Sequence, residues 1–190
     1  MSDVPLVAVL AGGAAKRMGA DKATVDVAGR TMLEHVLTAC RDAELEAVVV
    51  VRNDALPDLR RPHTGPLAGI EAALLEAKGR PIIAIAVDHP WVRPETLLAL
   101  ATATTTAVPL DDARLQVTCA RYEAACLAPA TAILDVGPAP VRTLFAHVEH
   151  VQVDETGWQA WGEDGRSWFS ADTPEALAAG LDRFGAPKRR

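Results

Sequence analysis

VAVLAGGAAKRMGADK, residues Val7 to Lys22, opens as an apolar strand, turns at two adjacent glycines and enters a loop carrying three cations. Gly12 and Gly13 have no Cβ, so the backbone there can turn tightly and come close to a bound group. Successive N–H groups in such a turn form a concavity that suits an anion. Lys16, Arg17 and Lys22 supply countercharge beside it. The combination reads as a nucleotide polyphosphate site at the carboxyl end of a first strand. Taken alone, the Gly-Gly pair reads equally as an ordinary turn. The spacing is neither the Walker loop nor the dinucleotide fingerprint G-x-G-x-x-G, because the glycines fall at 12, 13 and 19.

Working outward, Val4 to Leu10 is a near-continuous apolar run, as expected of a parallel strand buried on both faces. Val25 to Val27 reads as a short extended piece. Thr31 and Glu34 have capping-box spacing and open a helix to about Cys40, with Met32, Leu33, Val36, Leu37 and Cys40 on its apolar face. Ala47 to Val51 is a second buried strand, and Asp54 to Pro62 a polar loop. Gly65-Pro66-Leu67-Ala68-Gly69 leads into a helix ending near Lys78-Gly79. Pro81 to Val87 is a third buried strand, closed by Asp88-His89-Pro90. Pro94 suits the first turn of a helix reaching about Ala103. Alternating strands and helices indicate an α/β fold with a doubly wound parallel sheet. Ligands in such sheets bind outside the carboxyl ends of the strands. Leu10 to Lys22, Arg52-Asn53 and Asp88-His89-Pro90 all fall at such ends, and this convergence points to one site.

Beyond residue 105 the alternation loosens. Thr106 to Pro109 and Leu115 to Ala120 read as strands, one of them antiparallel. Glu123 to Leu134 reads as a helix, Val136 to Pro140 as a rigid break, Val141 to His147 as a short helix and His150 to Val153 as a strand. Gly157 to Arg166 reads as irregular. Trp158, Trp161 and Trp168 read as a local core, with a contact surface as the alternative. Asp172-Thr173-Pro174-Glu175 opens a last helix to about Phe184, with Asp172 as its cap.

The 190 residues suit one domain, and 49% apolar residues are enough for a substantial core. A net charge of −6 without a long basic run argues against general nucleic-acid binding. Lys188-Arg189-Arg190 reads as a solvated tail. Cys40, Cys119 and Cys126 have no C-x-x-C spacing, which fits buried thiols in a reducing compartment. No apolar run approaches the ~20 residues that span a bilayer. MSDVPLVAVL has no cationic leader segment. The expectation is a soluble, cytoplasmic protein.

Asp88 is the leading single candidate. A carboxylate at the end of a buried strand is held rigidly and is a hard oxygen ligand of the kind magnesium prefers. Pro90 restricts the residue before it and so shapes the loop after the Asp. The competing reading is a turn or cap Asp. His89 could contact substrate, although packing is the commoner role of such a histidine. His63, His147 and His150 show no metal-ligand spacing.

Leu10-Ala11-Gly12-Gly13, then Arg17-Met18-Gly19, then Asp21-Lys22, resemble the signature of nucleotidyltransferases that activate sugars and cofactors. Among these the chain is most similar to the molybdenum cofactor guanylyltransferases of the MobA type. The resemblance implies a Rossmann-like, three-layer nucleotidyltransferase domain over residues 1–190, mainly parallel, with a nucleotide-binding half at 1–105 and an acceptor-binding half at 106–190. It implies transfer of GMP from GTP to the phosphate of molybdopterin, with release of pyrophosphate. Leu10, Ala11, Gly12, Gly13, Asn53 and Gly65 would then bind the nucleotide. Arg17, with Lys16, would hold the departing phosphates, and Lys22 would stabilise charge at the α-phosphate. Asp88 would hold Mg2+, the implied cofactor, and Ser170 and Asp172 would meet the pterin. Molybdoenzymes or their chaperones would be partners for the product. The GPLAG motif and LAGG favour guanine over cytosine by the same analogy.

The chain departs from the family pattern at Pro62, where an Asp is usual, and at Gly137-Pro138-Ala139-Pro140, where basic residues are usual. Ser170 and Asp172 stand where the family usually has two asparagines. The alternatives are therefore a different phosphorylated acceptor, use of CTP, or a non-catalytic GTP-binding partner that delivers the cofactor.

Overall fold

The computed structural model describes residues 4–12, 21–50 and 65–187. The apolar run after Pro5 becomes strand β1 (Leu6–Leu10). Asp26–Val27 (β2) and Arg30–Thr31 (β3) pair as a small antiparallel ribbon. Thr31 then caps helix α1 (Met32–Asp42). Its Oγ1 accepts the Glu34 N–H at 3.2 Å while Glu34 Oε2 accepts the Thr31 N–H at 2.7 Å, so the capping box expected from the spacing forms. Strand β4 (Ala47–Val50), helix α2 (Pro66–Glu76), strand β5 (Ile82–Ala86) and helix α3 (Pro94–Thr102) continue the alternation. Strands β6 (Ala107–Asp111), β7 (Arg114–Leu115) and β8 (Cys119–Tyr122) follow, then helix α4 (Leu127–Val136). A 3-10 segment at Val141–Ala146, strand β9 (Val151–Val153), helix α5 (Glu155–Gln159) and helix α6 (Pro174–Phe184) complete the described chain.

The principal sheet runs β4-β1-β5-β8-β6-β7, with β9 also paired to β6. β4, β1 and β5 are parallel neighbours. β8 lies antiparallel between β5 and β6, and β9 runs parallel to β6. The sheet is thus mixed and mostly parallel. The antiparallel strand expected beyond residue 105 is β8: the two-residue turn Asp112-Ala113 reverses the chain from β6 into β7, and β8 continues in the direction of β7.

Alternate residues of the central strands face opposite helical layers. Leu6 and Ala8 of β1 and Ile82 and Ala84 of β5 pack with Leu67, Ile70 and Leu74 of α2 and with Ala130 and Leu134 of α4. Val7 and Val9, with Ile83 and Ile85, pack with Val36, Ala39 and Cys40 of α1 and Leu97 and Leu100 of α3. Burial on both faces is why these strands read as continuous apolar runs instead of alternating ones.

Two local expectations are corrected. Gly157 to Arg166 is not wholly irregular: Asp154 accepts the Gly157 N–H at 2.9 Å and caps α5, too short a helix to show a periodic pattern. The cap of α6 is Thr173, not Asp172. Its Oγ1 accepts the Ala176 N–H at 3.1 Å, because Pro174 takes the first helical position and leaves the residue just before it as the cap. Of the tryptophans, Trp158 and Trp168 are buried edge to face at 5.4 Å, so the local-core reading holds for that pair. Among the described residues no helix is long and apolar enough to cross a membrane.

The C-terminal helix closes over the loop that follows β5. Trp91 donates its indole N–H to the Gly185 carbonyl at 2.8 Å and meets the rings of Phe169 and Phe184 at 5.7 and 5.9 Å. Gly180 of α6 lies directly on the indole, and a Cβ there would come 2.3 Å from Trp91 Cη2. Gly180→Val should therefore destabilise the protein. Overpacking costs about 1–3 kcal/mol, against a gain of only about half a kcal/mol in helix propensity over glycine. Urea denaturation should show a lower midpoint with an unchanged slope.

Candidate active site

The site is assembled where β4, β1 and β5 end. The Val87 N–H donates to Leu10 O at 3.1 Å and the Ala11 N–H to Val50 O at 2.9 Å, which puts Leu10 and Ala11 between the ends of the neighbouring strands. Gly12 follows at once. The first turn of α2 sits on the same edge. A Cβ at Gly69 would come 3.1 Å from Leu10 Cδ2 and 3.7 Å from Val50 Cγ1, so the glycine allows the close approach. Gly65 precedes that helix at φ 84°, a conformation that favours glycine, and Pro66 begins it without a donor to orphan. The N–H groups of this turn thus lie beside the strand ends, an arrangement suited to phosphate.

Asp88 follows β5 by two residues and is the junction of the site. Its side chain keeps 12% of its exposure. Lys22 Nζ donates to Asp88 Oδ2 at 2.6 Å, and Ser170 Oγ donates to the same oxygen at 3.1 Å. The Ala171 N–H donates to the Asp88 carbonyl at 2.8 Å. Among the described residues, Asp88 Oδ1 accepts no hydrogen bond; His89 Nε2 lies 3.8 Å from it, beyond hydrogen-bonding distance. Lys22 is held in a 3-10 turn at Lys22–Thr24, capped by Asp21 Oδ1 accepting the Ala23 N–H at 3.0 Å.

Burial opposes ionisation of Asp88. Attraction from the neighbouring His89, the hydrogen bond and charge of Lys22, and the Ser170 hydroxyl outweigh it and hold the carboxyl below the usual Asp range. His89 is fully enclosed, and this desolvation pushes its imidazole below the usual value despite the Asp88 charge, with Lys22 adding to the depression. At pH 7 the imidazole is therefore neutral and its attraction for Asp88, which needs a protonated ring, is gone; among the described residues the cation paired with the carboxylate is then Lys22. Among the described residues, His89 Nδ1 is a buried side-chain atom with no hydrogen-bond partner. His89 is 4% exposed, which fits the packing role that is the commoner one for such a histidine.

Of the residues expected from sequence, the structure brings Leu10, Ala11, Gly12, Lys22, Asp88 and Ser170 together, with Gly65 opening the adjoining helix. Asp172 lies two residues past Ser170 on the same segment and is half-buried. Gly13, Lys16, Arg17 and Asn53 lie outside the described residues. The backbone N–H of Ala171 was not foreseen, because no side-chain pattern signals a main-chain contact. The three thiols are free and buried. Burial pushes Cys40 up to about 12 and raises Cys119 and Cys126, so none is a nucleophile at neutral pH.

Comparison with known proteins shows the family and the fold. Residues 7–156 match the family described as MobA-like NTP transferase domain. A molybdenum cofactor guanylyltransferase of Rhizobium leguminosarum bv. trifolii is 39% identical over 106 residues, a match spanning 50% of each chain. Another, of Xanthomonas euvesicatoria pv. vesicatoria, is 30% identical over 177 residues, 88% of this chain and 89% of the relative. The crystal structure of molybdopterin-guanine dinucleotide biosynthesis protein A from Archaeoglobus fulgidus superposes with a TM-score of 0.78 at 25% identity, covering 93% of this chain and 97% of that one.

The enclosed His89 makes stability depend on pH. In the unfolded chain histidine takes up a proton near pH 6.5, whereas His89 in the fold stays neutral to lower pH. The unfolded state then binds more protons, and stability falls as pH drops below about 6.5, by up to ~1.4 kcal/mol per unit from this group. Between pH 7 and 5 the wild-type protein should lose more stability than His89→Gln, as read by urea denaturation at each pH.

Proposed function

Because this chain belongs to the MobA-like NTP transferase domain family, we propose that it transfers GMP from GTP to the phosphate of molybdopterin, with release of pyrophosphate. The observation that supports this most directly is the Lys22–Asp88–Ser170 cluster at the carboxyl ends of β1 and β5. A terminal phosphate oxygen of the acceptor attacks the α-phosphorus of GTP. The bond from that phosphorus to the bridging oxygen of the β-phosphate breaks, and pyrophosphate carries the electron pair away. The nucleophile is already an anion, so no general base is needed, and catalysis consists of positioning and charge neutralisation.

The backbone of Leu10, Ala11, Gly12 and Gly13 approaches the guanine, with Asn53 and Gly65 completing the nucleotide side. Lys22 leaves Asp88 to meet the developing charge on the α-phosphate, and Arg17 with Lys16 holds the β- and γ-phosphates. Ser170 and Asp172 face the acceptor. The donor chemistry at Asp88 fits Mg2+: both its atoms are hard carboxylate oxygens, and Oδ1 accepts no hydrogen bond among the described residues. When bound, Mg2+ supplies charge neutralisation on the α-phosphate and the leaving group. The product is of the kind that molybdoenzymes or their chaperones would collect, and a cytoplasmic location follows from the same reading.

Pyrophosphate release from GTP, with CTP and ATP alongside, tests the reading in the presence of Mg2+ and molybdopterin. Release should need both GTP and the pterin. Asp88→Asn should lose at least about a hundredfold in turnover, the scale of several kcal/mol of charge stabilisation. Binding of GTP without any pyrophosphate release would overturn catalysis in favour of a delivery partner.

A further inference from the structure

Glu163 carries a buried carboxylate outside the cluster around Asp88. It is 4% exposed, and among the described residues no Lys, Arg or His pairs with it. Five donors converge on it instead. Oε1 accepts the N–H groups of Asp164 and Gly165, each at 2.9 Å, and of Ser167 at 3.3 Å. Oε2 accepts short hydrogen bonds from the hydroxyls of Thr96 and Ser167. Thr96 lies in the first turn of α3. Ser167 Oγ in turn accepts the N–H of Arg93, the residue that caps α3, at 3.0 Å. Arg93 also donates through its guanidinium to the Gly162 carbonyl.

These bonds tie residues 162–167 to the start of α3, which is the continuation of the loop that begins at Asp88. Three residues after Ser167 the chain delivers Ser170 Oγ to Asp88 Oδ2, and one residue later the Ala171 N–H to the Asp88 carbonyl. The two segments that meet at Asp88 are thus clamped to each other a second time, at a point where water does not compete. A buried carboxylate left without donors is costly, so a turn built from five of them is held in one geometry.

We propose that Glu163 is a positioning residue for the acceptor side of the site: its carboxylate fixes the strap that presents Ser170 and Ala171 to Asp88. The inference rests on the reading above for the identity of the acceptor, but its geometric part does not. Lys22, Gly12 and the start of α2 reach the site from the other half of the chain, so the nucleotide side should be insensitive to Glu163.

Two readouts test it, on Glu163→Ala, Glu163→Gln and Thr96→Val. Glutamine can keep the pattern, with its carbonyl oxygen accepting the three N–H groups and its amide donating to the two hydroxyls turned about. Alanine removes both acceptor oxygens and with them all five hydrogen bonds, and Thr96→Val removes one donor in nearly the same volume and serves if the alanine variant does not fold. The first readout is amide hydrogen exchange. Ala171 should exchange about tenfold faster or more in Glu163→Ala, and by less in Thr96→Val, while the amides of β1 and β5 keep their protection, as local opening requires. The second is kinetic. The KM for molybdopterin should rise about tenfold in Glu163→Ala with GTP binding within about twofold of wild type, and Glu163→Gln should restore it. Unchanged Ala171 protection, or acceptor and GTP constants moving together, would overturn the proposal. A wild-type protein without transfer activity would instead overturn the functional reading, and amide exchange would still decide the role of Glu163.

Discussion

The carboxylate of Asp88 is the constraint around which distant parts of the chain are arranged. Leaving it buried without donors would be costly. It is satisfied by Lys22, 66 residues earlier, and Ser170, 82 residues later, while its own carbonyl takes the Ala171 N–H. The N-terminal loop and the C-terminal strap must therefore both close on the end of β5. Trp91, Gly180 and the ring cluster of Phe169 and Phe184 fasten the last helix over the same loop, so packing and ion pairing act on one point.

That point can be rigid because β5 is rigid. Ile82 through Ile85 are buried on both faces between parallel β1 and antiparallel β8, with α2 and α4 on one side and α1 and α3 on the other. A close-packed strand cannot shift without disturbing both layers. Groups that must meet a transferring phosphate within a few tenths of an ångström are well served by such a base, and the adaptable parts are left to the loops.

Much of this was legible in the residues. β1 and β5 show as continuous apolar runs, since burial on both faces leaves no room for polar alternation; β4 reads the same way, yet it ends the described sheet and only Val50 of its four residues is buried. Thr31 and Glu34 declare the start of α1 because a capping box is local, needing only residues three apart. The site shows because Leu10 to Lys22 and Asp88 both follow such strands, and a parallel sheet brings their carboxyl ends together. Where the interaction depends on residues far apart, the text is silent. Glu163 looks like any acidic residue in a turn, and its role appears only when Thr96, 67 residues away, is folded against it. His89 beside an Asp reads mainly as a packing residue, but only the fold shows how far its imidazole is enclosed.

By itself, then, the sequence determined the alternation of strands and helices through α3 and the layered α/β class, because these follow from hydrophobic periodicity, turn chemistry and local capping. Tertiary structure decided which side chains share an environment: that Lys22 answers Asp88, that β8 enters antiparallel beside β5, that Thr173 and not Asp172 caps the last helix, and that Ser170 bonds to the Asp88 carboxylate. Periodicity is a property of neighbours along the chain. Burial, ion pairing and the protonation state of a group like His89 are properties of neighbours in space, and those exist only once the sheet has brought the segments together.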